Sequence, residues 1–409
     1  MSAAAGSTKR ACASSCGPIY KKKIMLLRIL AIQLLLILWP PYYLDKVWLR
    51  PKKHTLWRVV LWCVCVLLLT ASLVLTFTQD YSLLHARLTN AYLTLFMVVC
   101  IPWFFLALFA WLSRRFRSNT PRRMFLILGA MVSIGLFCTL VYGTLYGPRR
   151  LTVSNEQLTF ASLPKAFNGY RIVHLSDFHL GSHASDTTFI RRVVDSVNAR
   201  QPDLIVFTGD LVNFNASELE PFIPVLKRLK ARDGIYSVMG NHDYLMYHKK
   251  GPVAEEVRQL QAAQRRMGWH LLLNAHEFVR RAGDSIAVIG SENYGRPPFP
   301  AKGNLTLACK GLPEGIFKLL LTHDPYHWRH RVLPETDIAL TLAGHTHGGQ
   351  LRLFGWSPIK LVHKEWGGTY TEPGGAVLHI STGLGQALVA FRLGRWPQID
   401  VLTLKTPAP

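Results

Sequence analysis

Five short apolar runs, each followed at once by Asp, Asn or His, constrain the fold of this chain more than any other feature of its sequence. The runs begin at Ile172, Leu204, Ile235, Leu319 and Ile338, and their residues are typical of buried strands. The polar residues that follow them are, in order, Asp177 and His179, Asp210, Asn241 and His242, His323, and His345 and His347. Open α/β folds place their sites beyond the carboxyl ends of strands. The pattern therefore predicts an α/β domain whose polar residues meet at one edge.

The segments between these runs have the spacing of helices. Apolar residues recur at helical intervals over residues 188–199 and 218–230, which predicts helices that cross back between parallel strands. An edge strand is expected over residues 151–160. After His242, an aromatic and basic stretch from residue 244 leads into a third predicted helix over residues 253–267. That segment is either a solvated helix or a wall that receives an anionic or lipidic substrate.

The donor set indicates a metal centre. Seven Asp, Asn and His side chains without cysteine suit a pair of borderline-to-hard divalent ions better than a thiolate zinc site. Two ions about 3.5–4 Å apart clamp the attacking and leaving oxygens in phosphoryl displacement. Any one of these residues could instead cap a turn or be a structural histidine, but the seven together favour the metal interpretation.

The motifs D-x-H, G-D, G-N-H-D, H and G-H-T-H, in this order over roughly residues 170–390, resemble the calcineurin-like metallophosphoesterase superfamily and its membrane-tethered bacterial branch. The resemblance implies a four-layer αββα sandwich and two divalent ions, drawn from Mn, Fe and Zn or a mixed pair. It assigns one ion to Asp177, His179 and His347, the other to Asn241, His323 and His345, and the bridge between them to Asp210. It also implies that His242 is the general acid that protonates the leaving oxygen.

One motif departs from the protein-phosphatase pattern G-D-x-V-D-R-G. Here Asn213 stands where an aspartate that orients His242 is expected, and the arginine is absent. This difference argues against a protein phosphatase and leaves the acid role of His242 with less support than the metal ligands. Two substrate contacts are also predicted: Asn213 itself, and Arg392 in a closing block that resembles that of the membrane-tethered members.

The first part of the chain has the composition of a membrane region. Residues 1–150 contain 19 Lys and Arg against 2 Asp and Glu, whereas residues 151–409 contain 28 against 22, so most of the net charge of +23 accompanies the apolar runs. Runs over residues 24–40, 57–77, 92–112 and 124–147 predict four spans, the first with an interfacial or buried helix as its alternative. We therefore expect a basic disordered tail (1–23), a transmembrane helical region (24–148) and a metallophosphoesterase domain (149–409).

The basic loops predict the orientation. Loops over residues 42–56 and 113–123 are rich in Lys and Arg, while the loop between them, residues 79–90, contains a single basic residue, Arg87. The positive-inside rule places the two basic loops in the cytoplasm and the catalytic domain outside it, in a multi-pass, bacterial inner-membrane protein. The basic residues before residue 24 oppose this arrangement, and one resolution is that translation starts at Met25; an intact mass that includes residues 1–24 would exclude it.

The resulting functional hypothesis is a membrane-anchored hydrolase that cleaves phosphate esters by attack of a metal-bridged hydroxide. The expected partners are membrane lipids and a phosphorylated substrate, which could be a phospholipid, an isoprenoid phosphate or a lipid A precursor. The alternative is a nucleotide or nucleic-acid phosphodiesterase of the same fold, although nucleic acid is not expected because the domain is only weakly basic. A transporter is disfavoured because the spans contain almost no acidic or polar relay residues.

Overall fold

The computed structural model describes residues 18–78, 83–183, 185–246, 252–297, 299–387 and 389–407. The chain divides into two compact units, one made of residues 1–79 and 91–141 and the other of residues 80–90 and 142–409. Residues 1–17 of the predicted tail and residues 247–251 of the predicted substrate wall lie outside the described residues.

Long helices make up most of the first 145 residues: Pro18–Leu44, Thr55–Thr78, Leu83–Ser113 and Asn119–Leu145, with a π-helical turn at Asp45–Leu49. By length and composition, three stretches in the described part of the chain could cross a membrane, namely Thr55–Thr78, Arg87–Ser113 and Asn119–Arg149. They coincide with the last three predicted spans. The first predicted span, residues 24–40, lies in helix Pro18–Leu44. The side chains of this helix up to residue 27 are outside the described residues, and the first span therefore stays a prediction. The orientation of the spans also stays a prediction.

Two six-stranded mixed sheets lie in the second unit. Its strands are β1 (Thr152–Thr159), β2 (Arg171–Leu175), β3 (Leu204–Phe207), β4 (Ile235–Ser237), β5 (His270–Leu271), β6 (Ala275–Arg281), β7 (Asp284–Gly290), β8 (Phe317–Leu321), β9 (Leu340–Ala343), β10 (Gly368–Thr371), β11 (Val377–Ile380) and β12 (Gln398–Lys405). The first sheet has the order β1-β12-β2-β3-β4-β5 and the second β10-β11-β9-β8-β7-β6. The predicted α/β class is confirmed, and β1 is an edge strand as expected.

Strand alternation divides the core into layers. Ile172 of β2 packs in the apolar cluster that also contains residues of β7, β8 and β9, between the two sheets. Its neighbour Val173 points the other way, into the cluster that the helices cover. Because consecutive residues of β2 face opposite layers, His174 is directed into the space between the sheets.

The helices of this unit are Thr188–Asn198, Ile223–Leu226, Val253–Arg266, Leu305–Ala308 and Leu333–Glu335. The first and third agree with the predicted helices over 188–199 and 253–267. The helix predicted over 218–230 is largely wrong, because a 3-10 segment, Ala216–Phe222, precedes a single α-helical turn. Pro221 lies in the 3-10 segment and Pro224 in the α-helical turn, and each removes a backbone N–H that a regular helix over 218–230 would use.

Candidate metal centre

The loops that follow β2, β3, β4, β8 and β9 bring all seven predicted ligands to one end of the two sheets. The parallel strands β2, β3 and β4 supply Asp177, His179, Asp210 and Asn241, and the parallel strands β8 and β9 of the other sheet supply His323, His345 and His347. Six of the seven are buried, and His345 is partly exposed. The first sheet therefore contributes four ligands and the second three, to a centre that neither sheet could build alone.

Asp177, His179 and His347 form the first group. The Nε2 atoms of His179 and His347 are 3.1 Å apart, and His347 Nε2 is 3.4 Å from Asp177 Oδ1. The backbone N–H of His345 donates to the Asp177 carboxylate at 3.1 Å, which fixes the carboxylate from behind. These atoms are grouped closely enough to bind a single ion.

Asp210, His323 and His345 form the second group. His323 Nε2 is 3.1 Å from Asp210 Oδ2 and 3.2 Å from His345 Nδ1, while His323 Nδ1 donates to the carbonyl of Thr208 at 2.8 Å. That backbone contact leaves Nε2 as the ligating nitrogen. The side-chain oxygen of Asn241 is buried without a hydrogen-bond partner, which suits the fourth ligand of this group.

Asp210 links the two groups. The same oxygen, Oδ2, lies 3.1 Å from His323 Nε2 and 3.6 Å from His179 Nε2, and the other oxygen accepts a hydrogen bond from the backbone N–H of His242 at 2.8 Å. The close approach requires glycine at position 240, because a Cβ there would lie 2.2 Å from Asp210 Oδ1. A carboxylate between two clusters of imidazoles is the arrangement that a bridging ligand needs.

The electrostatics favour a bound cation. Burial lowers the pKa of His179 to about 3 and that of His345 to about 4, so both rings are neutral and have a free lone pair. Burial also opposes protonation of His323, but the carboxylate of Asp210 outweighs it and raises the pKa of His323 to about 10. The field that holds a proton there would equally hold a metal ion, since ligands bind metals in their deprotonated forms. The residues present therefore fit divalent metal ions.

Five of the ligands have left-handed backbone conformations: Asp177 (φ 52°), His179 (φ 45°), Asp210 (φ 58°), His345 (φ 72°) and His347 (φ 51°). Such conformations cost on the order of 1 kcal/mol or more for residues other than glycine, and they concentrate at functional sites. The surrounding hydrogen bonds hold the loops in these left-handed conformations. The loops therefore keep the geometry that the ligands need at the expense of local backbone stability.

Asp243 is a supporting residue that the sequence analysis missed as part of the site. Its fully buried carboxylate accepts hydrogen bonds from the backbone N–H groups of Gly240 and Asp210 at 2.9 Å, of Leu211 at 2.8 Å and of Val212 at 3.3 Å. It thereby joins the loops after β3 and β4. Its place directly after the G-N-H triplet was the available signal.

Asp243→Asn is expected to lower the free energy of unfolding by roughly 2–4 kcal/mol, because the new amide group leaves two buried N–H donors without an acceptor. Thermal unfolding of the purified protein measures the effect, and Asp195→Asn, at a carboxylate that is 59% exposed, is the matched control. Equal unfolding temperatures for the two variants would contradict the supporting role.

His242 lies beside both groups, with its ring centroid 4.8 Å from that of His179. Its Nδ1 donates to the backbone carbonyl of Asn213 at 2.8 Å, and this contact orients the ring. The side chain of Asn213 instead donates to Ser182 at 3.2 Å. The missing aspartate is thus replaced by a main-chain oxygen at the same position, and the substrate contact of Asn213 stays a prediction.

The prediction that Arg392 contacts substrate is wrong. Its guanidinium is fully buried and donates to the carbonyls of Thr382, Gly383 and Gly385, with one nitrogen 3.4 Å from His347 Nδ1. Buried main-chain oxygens occupy its donors, so Arg392 supports the loop behind His347.

Comparisons of the sequence with known proteins identify its family. Residues 170–349 match the model of the calcineurin-like phosphoesterase family. The chain is 30% identical over 294 residues to the uncharacterized metallophosphoesterase YkuE of Bacillus subtilis, an alignment that covers 66% of this chain and 96% of that protein. It is 29% identical over 272 residues to a transmembrane protein with metallophosphoesterase domain of Danio rerio, covering 65% of this chain and 60% of that protein. A solved dimetal phosphatase from Danio rerio matches 54% of this chain and 89% of its own, with 13% identity and a TM-score of 0.32.

The chain belongs to the calcineurin-like metallophosphoesterases, an assignment that the sequence matches carry. It is a metal-dependent phosphoesterase, and its His and Asp groups imply divalent metals. The apolar helices and the transmembrane relative indicate association with a membrane.

Proposed function

We propose that this protein is a membrane-anchored phosphohydrolase that binds two divalent ions, drawn from Mn, Fe and Zn, and cleaves a phosphate ester on a lipid-linked or other membrane-proximal substrate. The observation that carries the dinuclear assignment is the position of the Asp210 carboxylate between two groups of imidazoles. Asp177, His179 and His347 would hold one ion, and Asn241, His323 and His345 the other, with Asp210 shared. When bound, such ions supply Lewis acidity that activates water and neutralises negative charge on the phosphate.

The side chain of His242 is assigned to proton transfer. Because Nδ1 is held by the carbonyl of Asn213, it carries a hydrogen, and Nε2 is the atom through which the ring exchanges a proton with the departing oxygen. The neighbouring loop is fixed by the buried carboxylate of Glu218, which accepts a hydrogen bond from the backbone N–H of Phe214 at 3.0 Å. The ring is therefore oriented before substrate binds.

An exposed apolar surface next to the centre supports a lipid-linked substrate. Among the described residues after residue 150, six large apolar side chains are exposed, and five of them lie in the segment 353–362, which we name the apolar hairpin. They are Leu353, Phe354, Trp356, Leu361 and Val362. Clustered exposed apolar groups are uncommon on soluble domains unless they contact a ligand, a partner or a membrane.

The apolar hairpin is built rigidly and close to the ligands. Leu353 and Trp356 exchange two backbone hydrogen bonds of 2.9 Å, which places the fully exposed Phe354 at the tip in a left-handed conformation (φ 49°). Its base packs so tightly against Gly349, two residues after His347, that a Cβ there would lie 2.6 Å from Ser357 Oγ. The segment is followed by His363, whose ring lies 6.1 Å from that of His345. An aromatic residue at a turn position that favours Asn or Gly indicates a function for Phe354.

The double substitution Phe354→Ser, Trp356→Ser is expected to raise the KM for a phosphatidate substrate in vesicles about 100- to 10,000-fold. Each aromatic side chain that becomes buried in the lipid contributes about 1.5–3 kcal/mol, so the two together contribute about 3–6 kcal/mol. Hydrolysis of a soluble aryl phosphate by the same reconstituted full-length protein should not change. Leu307→Ser, at another exposed apolar residue, is the matched control.

Three outcomes of this assay are informative. Equal losses on both substrates would contradict a lipid-contacting role for the apolar hairpin. Hydrolysis of a dinucleotide or a nucleotide diester with no hydrolysis of lipid phosphates would favour the alternative, a nucleotide or nucleic-acid phosphodiesterase. A loss confined to the lipid substrate supports the proposal.

A further inference from the structure

A second group of buried titratable side chains lies within the strands, separate from the loops of the metal centre. It consists of His174 on β2, His379 on β11 and Asp400 on β12, all three with no solvent exposure. β2 and β12 belong to the first sheet and β11 to the second, so the group crosses the interior of the sandwich. One ligating atom from each residue lies within 4.8 Å of the other two.

Each histidine of this group has one nitrogen engaged and one nitrogen without a partner. His174 Nε2 is 2.9 Å from the hydroxyl of Thr208, and His379 Nδ1 is 2.9 Å from the hydroxyl of Thr369. His174 Nδ1, His379 Nε2 and Asp400 Oδ2 are buried without a hydrogen-bond partner. Buried polar atoms are rarely left unsatisfied, so three in one place require an explanation.

The spacing between His379 and Asp400 is longer than that of a close charge-assisted hydrogen bond. His379 Nε2 is 3.5 Å from Asp400 Oδ1, whereas a charge-assisted N–H···O hydrogen bond closes to about 2.7–2.9 Å. Two ligands each about 2.0–2.1 Å from a tetrahedral zinc ion are separated by about 3.3–3.4 Å. The corresponding separations in the catalytic centre, such as 3.4 Å between His347 and Asp177, are of the same size.

We propose that His174, His379 and Asp400 bind a further divalent metal ion, best matched by zinc, which fastens the two sheets to each other. Two imidazoles and a carboxylate are an established zinc donor set and leave one position for water. The hydroxyls of Thr208 and Thr369 then act on the outer nitrogens of the rings, which is how such partners orient metal-bound histidines. The inference goes beyond the proposed function and does not depend on it.

This ion would also be linked to the catalytic centre. Thr208 contacts His174 through its hydroxyl, and its backbone carbonyl accepts the hydrogen bond from His323, one of the catalytic ligands, at 2.8 Å. One residue therefore supports ligands of both sites. The interior ion would stabilise the strand ends from which the catalytic loops start.

The competing occupant of this space is a proton on His379. Burial disfavours the charged ring, but the carboxylates of Asp400 and Glu156 raise the pKa of His379 to about 9. Burial lowers the pKa of His174 to about 3, so that ring is neutral and offers a lone pair in either case. A proton on His379 would leave His174 Nδ1 unpaired, whereas a metal ion bound by one atom from each of the three residues would occupy it.

The test compares bound zinc in full-length protein purified in detergent, loaded with zinc and freed of excess ion. Asp400→Asn and His379→Gln are each expected to bind one equivalent less zinc than wild type by elemental analysis. His270→Gln is the matched control, because His270 also pairs with a carboxylate, Glu277 at 2.8 Å, but at the surface. Equal zinc content in all four proteins would overturn the proposal.

A measurement on the wild type avoids substitutions in the core. Crystals of the zinc-loaded protein should show an anomalous scattering peak between His174, His379 and Asp400, in addition to any at Asp210. A map without a peak between these three residues would overturn the proposal and assign the group to a protonated His379 paired with Asp400. Because this readout is the ion position, it is independent of whether the protein hydrolyses any particular ester.

Discussion

Asp210→Asn is expected to reduce phosphoesterase activity about 1000-fold or more and to remove part of the bound metal. The amide of asparagine keeps an oxygen at this position but carries no negative charge to balance the two ions. Several kcal/mol of transition-state stabilisation depend on those ions. A loss of about 4 kcal/mol corresponds to about 1000-fold in rate. Hydrolysis of a simple aryl phosphate monoester and diester with Mn²⁺, together with elemental analysis, measures both effects.

The matched control for this change is Asp195→Asn, at an exposed carboxylate on a helix of the same unit. Wild-type protein should also lose activity on chelation and recover it when Mn²⁺ is restored. Activity that persists through both Asp210→Asn and chelation would exclude the metal-dependent mechanism proposed for this centre.

His242→Ala is expected to lower kcat about 100- to 10,000-fold for substrates with a poorly stabilised alkoxide leaving group. The loss should be much smaller for an aryl phosphate, because an aryl oxide departs without receiving a proton. Bound metal should be unchanged, since His242 is not assigned as a ligand. The comparison of leaving groups distinguishes proton transfer from a general disturbance of the site.

The control for the histidine is His270→Ala, at an exposed ring on β5. Equal losses on alkyl and aryl esters in the His242→Ala protein would contradict the assignment as general acid. They would indicate instead that the ring acts on its surroundings, for example through its edge-to-face contact with His179.

Much of the centre could be predicted from sequence because each ligand directly follows a strand. The apolar run before Asp177 identifies the strand and its end, and parallel strands deliver their following residues to one edge. The grouping of His323 with Asp210, 113 positions earlier, required more than local pattern, and the family resemblance supplied it. The apolar run before each ligand thus located the residues, and the order of the motifs along the chain assigned each residue to one of the two ions.

The remaining features depend on contacts that no local pattern encodes. The orientation of His242 comes from a main-chain oxygen of Asn213, and a backbone carbonyl leaves no signature in residue type. Arginine is a residue type that often binds anions, but the N–H donors of Arg392 are occupied by backbone carbonyls of its own loop. The interior group of His174, His379 and Asp400 was missed because it joins three strands far apart in the chain.

The left-handed ligand residues have a consequence for how readily this centre accepts its ions. An unfavourable torsion that the hydrogen-bonded scaffold already maintains does not have to be created at the moment of binding. Most of the ordering cost is therefore met during folding, and an arriving cation encounters a cage that is pre-organised. Affinity then depends on ligand charge and spacing rather than on loop closure, and exchange of one metal for another would require little movement of the main chain.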